Sequence, residues 1–113
     1  FPASVNEFSV APQVNPTEGL PYHEWLIEFD QKPQNMQEFN KELDLQMRKQ
    51  NTYYDDLITG NILTQLQISV VEKGGFQLYM KSIGKLGGQN KVPRLSNNRE
   101  IADEFYLLNL IQK

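Results

Sequence analysis

The chain has no cysteine and a single histidine in 113 residues. Without thiols there is no disulfide framework, zinc-thiolate site or thiol nucleophile to consider, and His23 alone cannot assemble a multi-histidine metal site. No run approaches the ~18 consecutive apolar residues that cross a bilayer. The opening Phe1-Pro2-Ala3-Ser4 is not the basic-then-apolar start of a signal peptide. These absences point to a soluble protein in a reducing, cytoplasmic setting with no membrane partner. Net positive charge is missing as well: 11 Lys and Arg stand against 14 Asp and Glu, a formal charge of -3. A protein that coats nucleic acid is usually basic throughout, so nucleic acid is not an expected partner. The start at Phe1 without Met is what a piece of a longer protein, or a processed chain, would look like.

What is present suits one globular domain with a modest core, since 39% of residues are hydrophobic and 11% aromatic. Residues 5–10 alternate loosely and read as a strand, followed by a connector punctuated by Pro12, Pro16, Gly19 and Pro21. Residues 22–29 alternate clearly: His23, Trp25, Ile27 and Phe29 share one face, and Tyr22, Glu24, Leu26 and Glu28 share the other. This predicts a half-buried strand with Glu24 and Glu28 on its wetter face, and His23 as a packing residue. Asn35 followed by Glu38 resembles a capping box, and Met36, Phe39, Leu43 and Met47 recur at helical spacing, predicting a helix over about 35–50 with an apolar stripe in the core. Residues 52–58 predict a short helix stopped by Gly60-Asn61. Leu66, Ile68 and Val70 predict a strand, and Gly74-Gly75 a turn into a helix carrying Phe76, Tyr79, Met80 and Ile83. Asn97 with Glu100 predicts a capping box for a last helix bearing Ile101, Phe105, Leu108 and Ile111. The order implies an α+β fold: a small mixed or antiparallel sheet packed on about four helices.

Chemistry concentrates in residues 84–95. Lys81, Lys85, Lys91, Arg94 and Arg99 form a window without Asp or Glu in an otherwise acidic chain. Gly87 and Gly88 allow positive φ and close approach of a ligand, while Pro93 braces the turn and holds Val92 extended. A glycine-rich, proline-braced loop bearing unneutralised cations is suited to an anion. The bland alternative is a solvated loop with ordinary surface lysines. Gly84-x-x-Gly87-Gly88-x-x-Lys91 does not match the Walker phosphate-loop pattern, so the loop is not a complete nucleotide site by itself.

Residues 22–29, Leu43-Asp44, Asn51 with Tyr54, Gly87-Gly88-Gln89-Asn90-Lys91-Val92-Pro93-Arg94-Leu95, Arg99 and Ile101 together resemble the carboxy-terminal domain of the Gretchen Hagen auxin-responsive promoter family, the acyl acid amido synthetases. The resemblance covers nearly the whole chain and is most specific in the loop. It implies the mobile lid domain, residues 1–113, of a larger adenylate-forming ligase that uses ATP and Mg²⁺ to activate a carboxylic acid. Characterised plant members then pass the acyl group to an amino acid. On this resemblance, the partner is the amino-terminal adenylation domain, which holds ATP, Mg²⁺ and acid, and this domain alone binds no cofactor and is inactive. Lys91 matches the lysine that reaches the reacting site. Gly87, Gly88, Gln89, Asn90, Pro93 and Arg94 support the loop or the domain contact. Lys85, outside the best-matching motif, is expected to matter less. Asn90 departs from plant members, which tend to carry an aromatic residue before the lysine, so a bacterial member with another acid is the expectation. A stand-alone module that recognises a phosphorylated ligand through residues 84–94 is the alternative.

Overall fold

The computed structural model describes residues 2–88 and 90–112. Three strands and four helices follow in the order β1 (Ser4–Gln13), β2 (Tyr22–Gln31), α1 (Met36–Gln50), α2 (Thr52–Thr59), β3 (Gln67–Val70), α3 (Gly75–Ser82) and α4 (Glu100–Leu107). The sheet is mixed, with β2 central, antiparallel to β1 and parallel to β3. The fold is α+β, as the segment order implies.

Local signals account for most boundaries. Asn35 Oδ1 accepts from Glu38 N at 3.0 Å and opens α1. Asn51 closes α1 through its own N–H to Met47 O and opens α2 by accepting from Tyr54 N at 3.1 Å. One residue thus serves two helix ends, which is why α1 and α2 meet at a sharp corner. Gly75 is required by space: a Cβ there would lie 2.4 Å from Val71 Cγ1. α3 ends in a Schellman motif, with Lys85 N bonded to Met80 O at 2.8 Å, Gly84 N to Lys81 O at 3.1 Å, and Gly84 at φ 72°.

Both faces of the sheet are covered. His23 stacks on Tyr54 of α2 at 5.3 Å, and Phe29 meets Phe39 of α1 edge-on at 5.6 Å. On the opposite face, Ala11 and Leu26 pack with Phe76, Tyr79 and Met80 of α3 and Ala102 and Phe105 of α4. This second core overturns the assignment of a wetter face to β2. Glu24 is 3% and Glu28 6% exposed, because the side that carries them lies under α3 and α4. The α1 stripe is also less deep than expected: Met36, Phe39, Leu43 and Met47 are half-buried, and the buried residue of α1 is Asp44. Its Oδ1 accepts from the Tyr54 hydroxyl at 2.5 Å and from Leu66 N at 3.1 Å, tying α1 to α2 and to the start of β3.

Two further expectations shift near the C-terminus. Asn98, not Asn97, supplies the side-chain oxygen at the head of α4, accepting from Glu100 N at 3.0 Å. Asn97 lies one residue too far out, since Arg99 occupies the N-cap position. The helix also stops before Ile111. Asn109 turns left-handed at φ 57°, Leu110 N bonds back to Phe105 O, and Ile111 forms an antiparallel bridge with Val71. Leu108 and Ile111 therefore follow helical spacing with Leu108 only capping the helix and Ile111 lying beyond it.

Candidate functional site

The loop after α3 is anchored at both ends. Lys85 is held by the Schellman hydrogen bond to Met80 O. Beyond the tip, Val92 is buried in the α3–α4 core at 6% exposure. Ser9 Oγ donates to Pro93 O at 2.7 Å, Val10 N donates to Arg94 O at 2.9 Å, and Ser96 N donates to Val10 O at 2.9 Å. Leu95 thereby forms a parallel bridge with Val10, adding a short rung to the free edge of β1.

The cations of this segment divide into two groups. Arg94 pairs with Glu7 at 3.1 Å and lies 4.8 Å from the centre of the Phe8 ring, which itself stacks on Trp25. Arg99 donates to Glu24 Oε1 at 2.9 Å, to Asp103 Oδ1 at 3.2 Å and to Pro12 O at 3.2 Å. The absence of acids from the 81–99 window is thus true of the sequence alone, because the fold brings Glu7 and Glu24 to its two arginines. The lysines differ. Lys81, Lys85 and Lys91 are exposed, and among the described residues none is within ion-pair distance of an acid.

Lys91 stands at the rim of a cavity of about 240 Å³ formed between the loop, α3 and β1. Lys85, Gly87 and Asn90 line it on the loop side, and Gln77, Asn6, Glu7 and Glu28 on the body side. Gly84, Gly87 and Gly88 all have positive φ, and a Cβ at any of them would meet open space. Backbone conformation rather than crowding makes glycine suitable there. Asn90 Nδ2 reaches back to Gly87 O at 3.4 Å, closing the tip. Pro93 is exposed on the anchored side of the loop, and Gln89 lies outside the described residues. Among the described residues no cluster of three or more His, Asp or Glu could hold a metal ion.

A model of the GH3 family C-terminal domain matches residues 2–100, the loop included. The chain belongs to the GH3 family. This agrees with the family that the loop and strand motifs resemble. The GH3 fold is also found in solved structures: "GH3.15 acyl acid amido synthetase" superposes with TM-score 0.75 over 100% of this chain at 17% identity. "AtGH3.15 acyl acid amido synthetase in complex with 2,4-DB" superposes with TM-score 0.71 over 98% of it, also at 17% identity. At that identity the superpositions speak to the fold. The chain spans 21% of the length of each of these structures, so its GH3 domain corresponds to about a fifth of either. No curated protein matches it in sequence.

The buried part of the GH3 domain holds polar side chains that sequence alone placed in solvent. Glu24 accepts from Arg99, from Ser69 Oγ at 2.5 Å and from the Tyr106 hydroxyl. Tyr106 is 46% exposed overall, yet its hydroxyl lies against Glu24 and Ser69, and burial together with donation to Glu24 pushes its pKa up to about 12. Glu28 accepts from Asn6 Nδ2 at 2.8 Å, Gly74 N at 3.3 Å and Phe76 N at 3.2 Å. It thereby caps α3, whose own N-cap, Gly74, has no side chain to do so. Burial lowers the His23 pKa and raises that of Tyr54, whose proton is also held by Asp44. Periodicity locates Glu24 and Glu28 on β2 but cannot reveal partners 22 to 82 positions away.

Proposed function

We propose that the chain is the lid domain of an ATP-dependent acyl-adenylate-forming ligase, and that Lys91 is the residue it delivers to the reacting site of an amino-terminal adenylation domain. The observation that carries this reading is Lys91 itself: exposed, free of an acidic partner among the described residues, and set on a glycine loop whose far side is tied to β1. Family membership and the one-fifth span of the matched structures support a larger catalytic partner.

The chemistry calls for such a group. ATP supplies the adenylyl group, and attack by a carboxylate at the α-phosphate brings anions together. An ammonium on a preformed loop offsets that charge without reorganising at the moment of reaction. The residues here suit phosphate oxygens; the described residues do not suit Mg²⁺, which would be held by the adenylation domain. Val92 and Pro93 set the base of Lys91, and Arg94, paired with Glu7 and lying over Phe8, holds the loop against β1. The acid is a carboxylate, and the matched structures carry the name acyl acid amido synthetase, an activity whose product is an amide, so the proposed second substrate is an amine, that of an amino acid. The setting is cytoplasmic and the source bacterial on this reading.

The test is Lys91→Ala in the full-length protein, read by ATP–pyrophosphate exchange. Loss of one charged transition-state donor costs about 10²–10³ in kcat. KM for ATP should change far less, since the contact forms mainly in the closed state. Equal rates for variant and wild type would remove Lys91 from the chemistry. Exchange by the 113-residue domain alone would remove the lid reading altogether.

A further inference from the structure

On the α1–α2 side of the sheet, β2 carries two rings that the lid chemistry does not use. His23 and Trp25 share one face of the strand, and each is half of a stacked pair, His23 with Tyr54 at 5.3 Å and Trp25 with Phe8 at 5.4 Å. A pocket of about 220 Å³ lies against both pairs. Val10, Tyr54 and Leu66, each 5% exposed or less, form its base, and Leu95, 77% exposed, stands at its mouth. These walls are fixed by the sheet: Val10 pairs with Trp25 on one side and bridges to Leu95 on the other, so the three side chains form one apolar row. Met47 of α1 completes the apolar lining.

Most polar groups on the lining are committed elsewhere. The Tyr54 hydroxyl donates to Asp44, and Asn51 Oδ1 accepts from Tyr54 N. The ring nitrogens of His23 and Trp25 make no hydrogen bond among the described residues, and none of them is sealed from solvent. Of the two rings, His23 alone can accept. Burial lowers its pKa, which leaves a neutral imidazole with one N–H donor and one acceptor nitrogen near neutral pH. The charge felt at His23 is that of Asp44, which is negative and buried beneath Tyr54. An anion would be repelled there, and a cation would lose its water against apolar walls. The size is also selective. Benzene fills an apolar cavity of ~150 Å³, so about 220 Å³ holds one ring with a small substituent.

We propose that this pocket is a ligand site for an uncharged single-ring aromatic bearing a hydroxyl group, with the ring against Trp25, Met47 and Leu95 and the hydroxyl donating to His23. The site is separate from the loop of Lys91 and does not depend on how that lysine is read. Phenol, toluene and benzoate, each titrated into the ¹⁵N-labelled 113-residue chain, test it through amide chemical shifts. Phenol and toluene should give saturable shifts confined to the residues around the pocket, and benzoate at the same concentrations should leave those amides unmoved. His23→Phe keeps a ring to stack on Tyr54 and removes both nitrogens, so it should weaken phenol about five-fold, as for one lost hydrogen bond, and leave toluene unchanged. Leu95→Ala, a change at an exposed position, should weaken phenol and toluene alike, and it tests the pocket even if His23→Phe does not fold. Shifts that fail to saturate, that scatter over the surface or that ignore Leu95→Ala would overturn the site. Equal effects of His23→Phe on phenol and toluene, or binding of benzoate as tight as that of phenol, would overturn the ligand class.

Discussion

On β2, Glu24 and Glu28 are buried and all four of their carboxylate oxygens accept hydrogen bonds, whereas Lys85 and Lys91 on the loop stand in solvent with no acid beside them among the described residues. A charge taken out of water is tolerable only when fully partnered, and once partnered it commits the surrounding backbone to one arrangement. An exposed ammonium costs little to hold and commits nothing. The same domain therefore uses its buried acids to fix α3, α4 and the base of the loop, and keeps its lysines for something that arrives from outside. Arg94 and Arg99 mark the boundary between these uses, since they belong to the cationic segment by sequence and to the acids by geometry.

The sharpest way to break this comparison is to truncate the acids. Glu24→Ala leaves the Arg99 guanidinium, whose side chain is 19% exposed, without its main partner, and breaking a buried pair in this way costs about 3–5 kcal/mol. Glu28→Ala strips the N-terminus of α3 and should cost about 1–3 kcal/mol for the donors left unsatisfied. Urea unfolding at constant m-value measures both. Losses below about 0.5 kcal/mol, the range of ordinary surface changes, would place these acids with the lysines.

The reason the acids were misplaced by sequence is physical. Period-two alternation on residues 22–29 separates two faces correctly, but it cannot say that α3 and α4, more than 40 residues away, will cover the polar one. Caps are different because their partners are two or three residues off. Asn35 was legible for that reason, and Asn97 missed by a single position. Ile111 misled because its spacing from Phe105 and Leu108 fits a helix, while Asn109 at positive φ ends that helix and sends Ile111 to Val71. At the candidate site the glycines, Pro93 and Lys91 were readable locally. The partners of Arg94 and Arg99 were not, and neither was Lys85, whose place in the cavity depends on where α3 stops.

A smaller effect probes the same helix start that Glu28 caps. In Gly75→Ala the new Cβ would crowd Val71 Cγ1, and overpacking of this kind costs about 1–3 kcal/mol. Its neighbour Gly74 meets nothing within 4 Å but has φ 81°, so Gly74→Ala should cost about 1–2 kcal/mol through backbone strain alone. A Gly75→Ala protein as stable as wild type would mean that β3 and α3 approach less closely than described.

The pH dependence should follow the buried groups. His23 has a folded pKa below 6.5, chiefly from burial, so the unfolded chain binds the proton more readily. Its contribution to stability is complete above pH 6.5 and is lost as pH falls through the lowered value. Tyr106 is the reverse case: raised to about 12 from 10.0, it keeps its proton in the folded state, so its contribution is complete below pH 10.0 and lost as pH rises toward 12. Denaturant midpoints measured across pH should show a smaller acid-side slope in His23→Gln and a smaller alkaline-side slope in Tyr106→Phe, the remainder of the latter belonging to the other tyrosines held protonated by burial, Tyr54 first. Slopes unchanged in these variants would assign the titration elsewhere.

The smallest expected effect is the most discriminating. Lys85→Ala and Lys91→Ala should each leave stability within about 0.5 kcal/mol of wild type, since neither side chain is buried and neither has an acidic partner among the described residues to lose. The double variant should gain at most slightly by relieving repulsion between two exposed cations, and that gain should vanish as salt is raised, since exposed charges more than about 10 Å apart are already largely screened at 0.1 M salt. The contrast with Glu24→Ala is then a domain that unfolds easily without its acids and folds normally without its lysines. A loss above about 1 kcal/mol for Lys91→Ala, persisting at high salt, would show that this lysine works for the fold and would remove the reason for reading it as a group held ready for a phosphate.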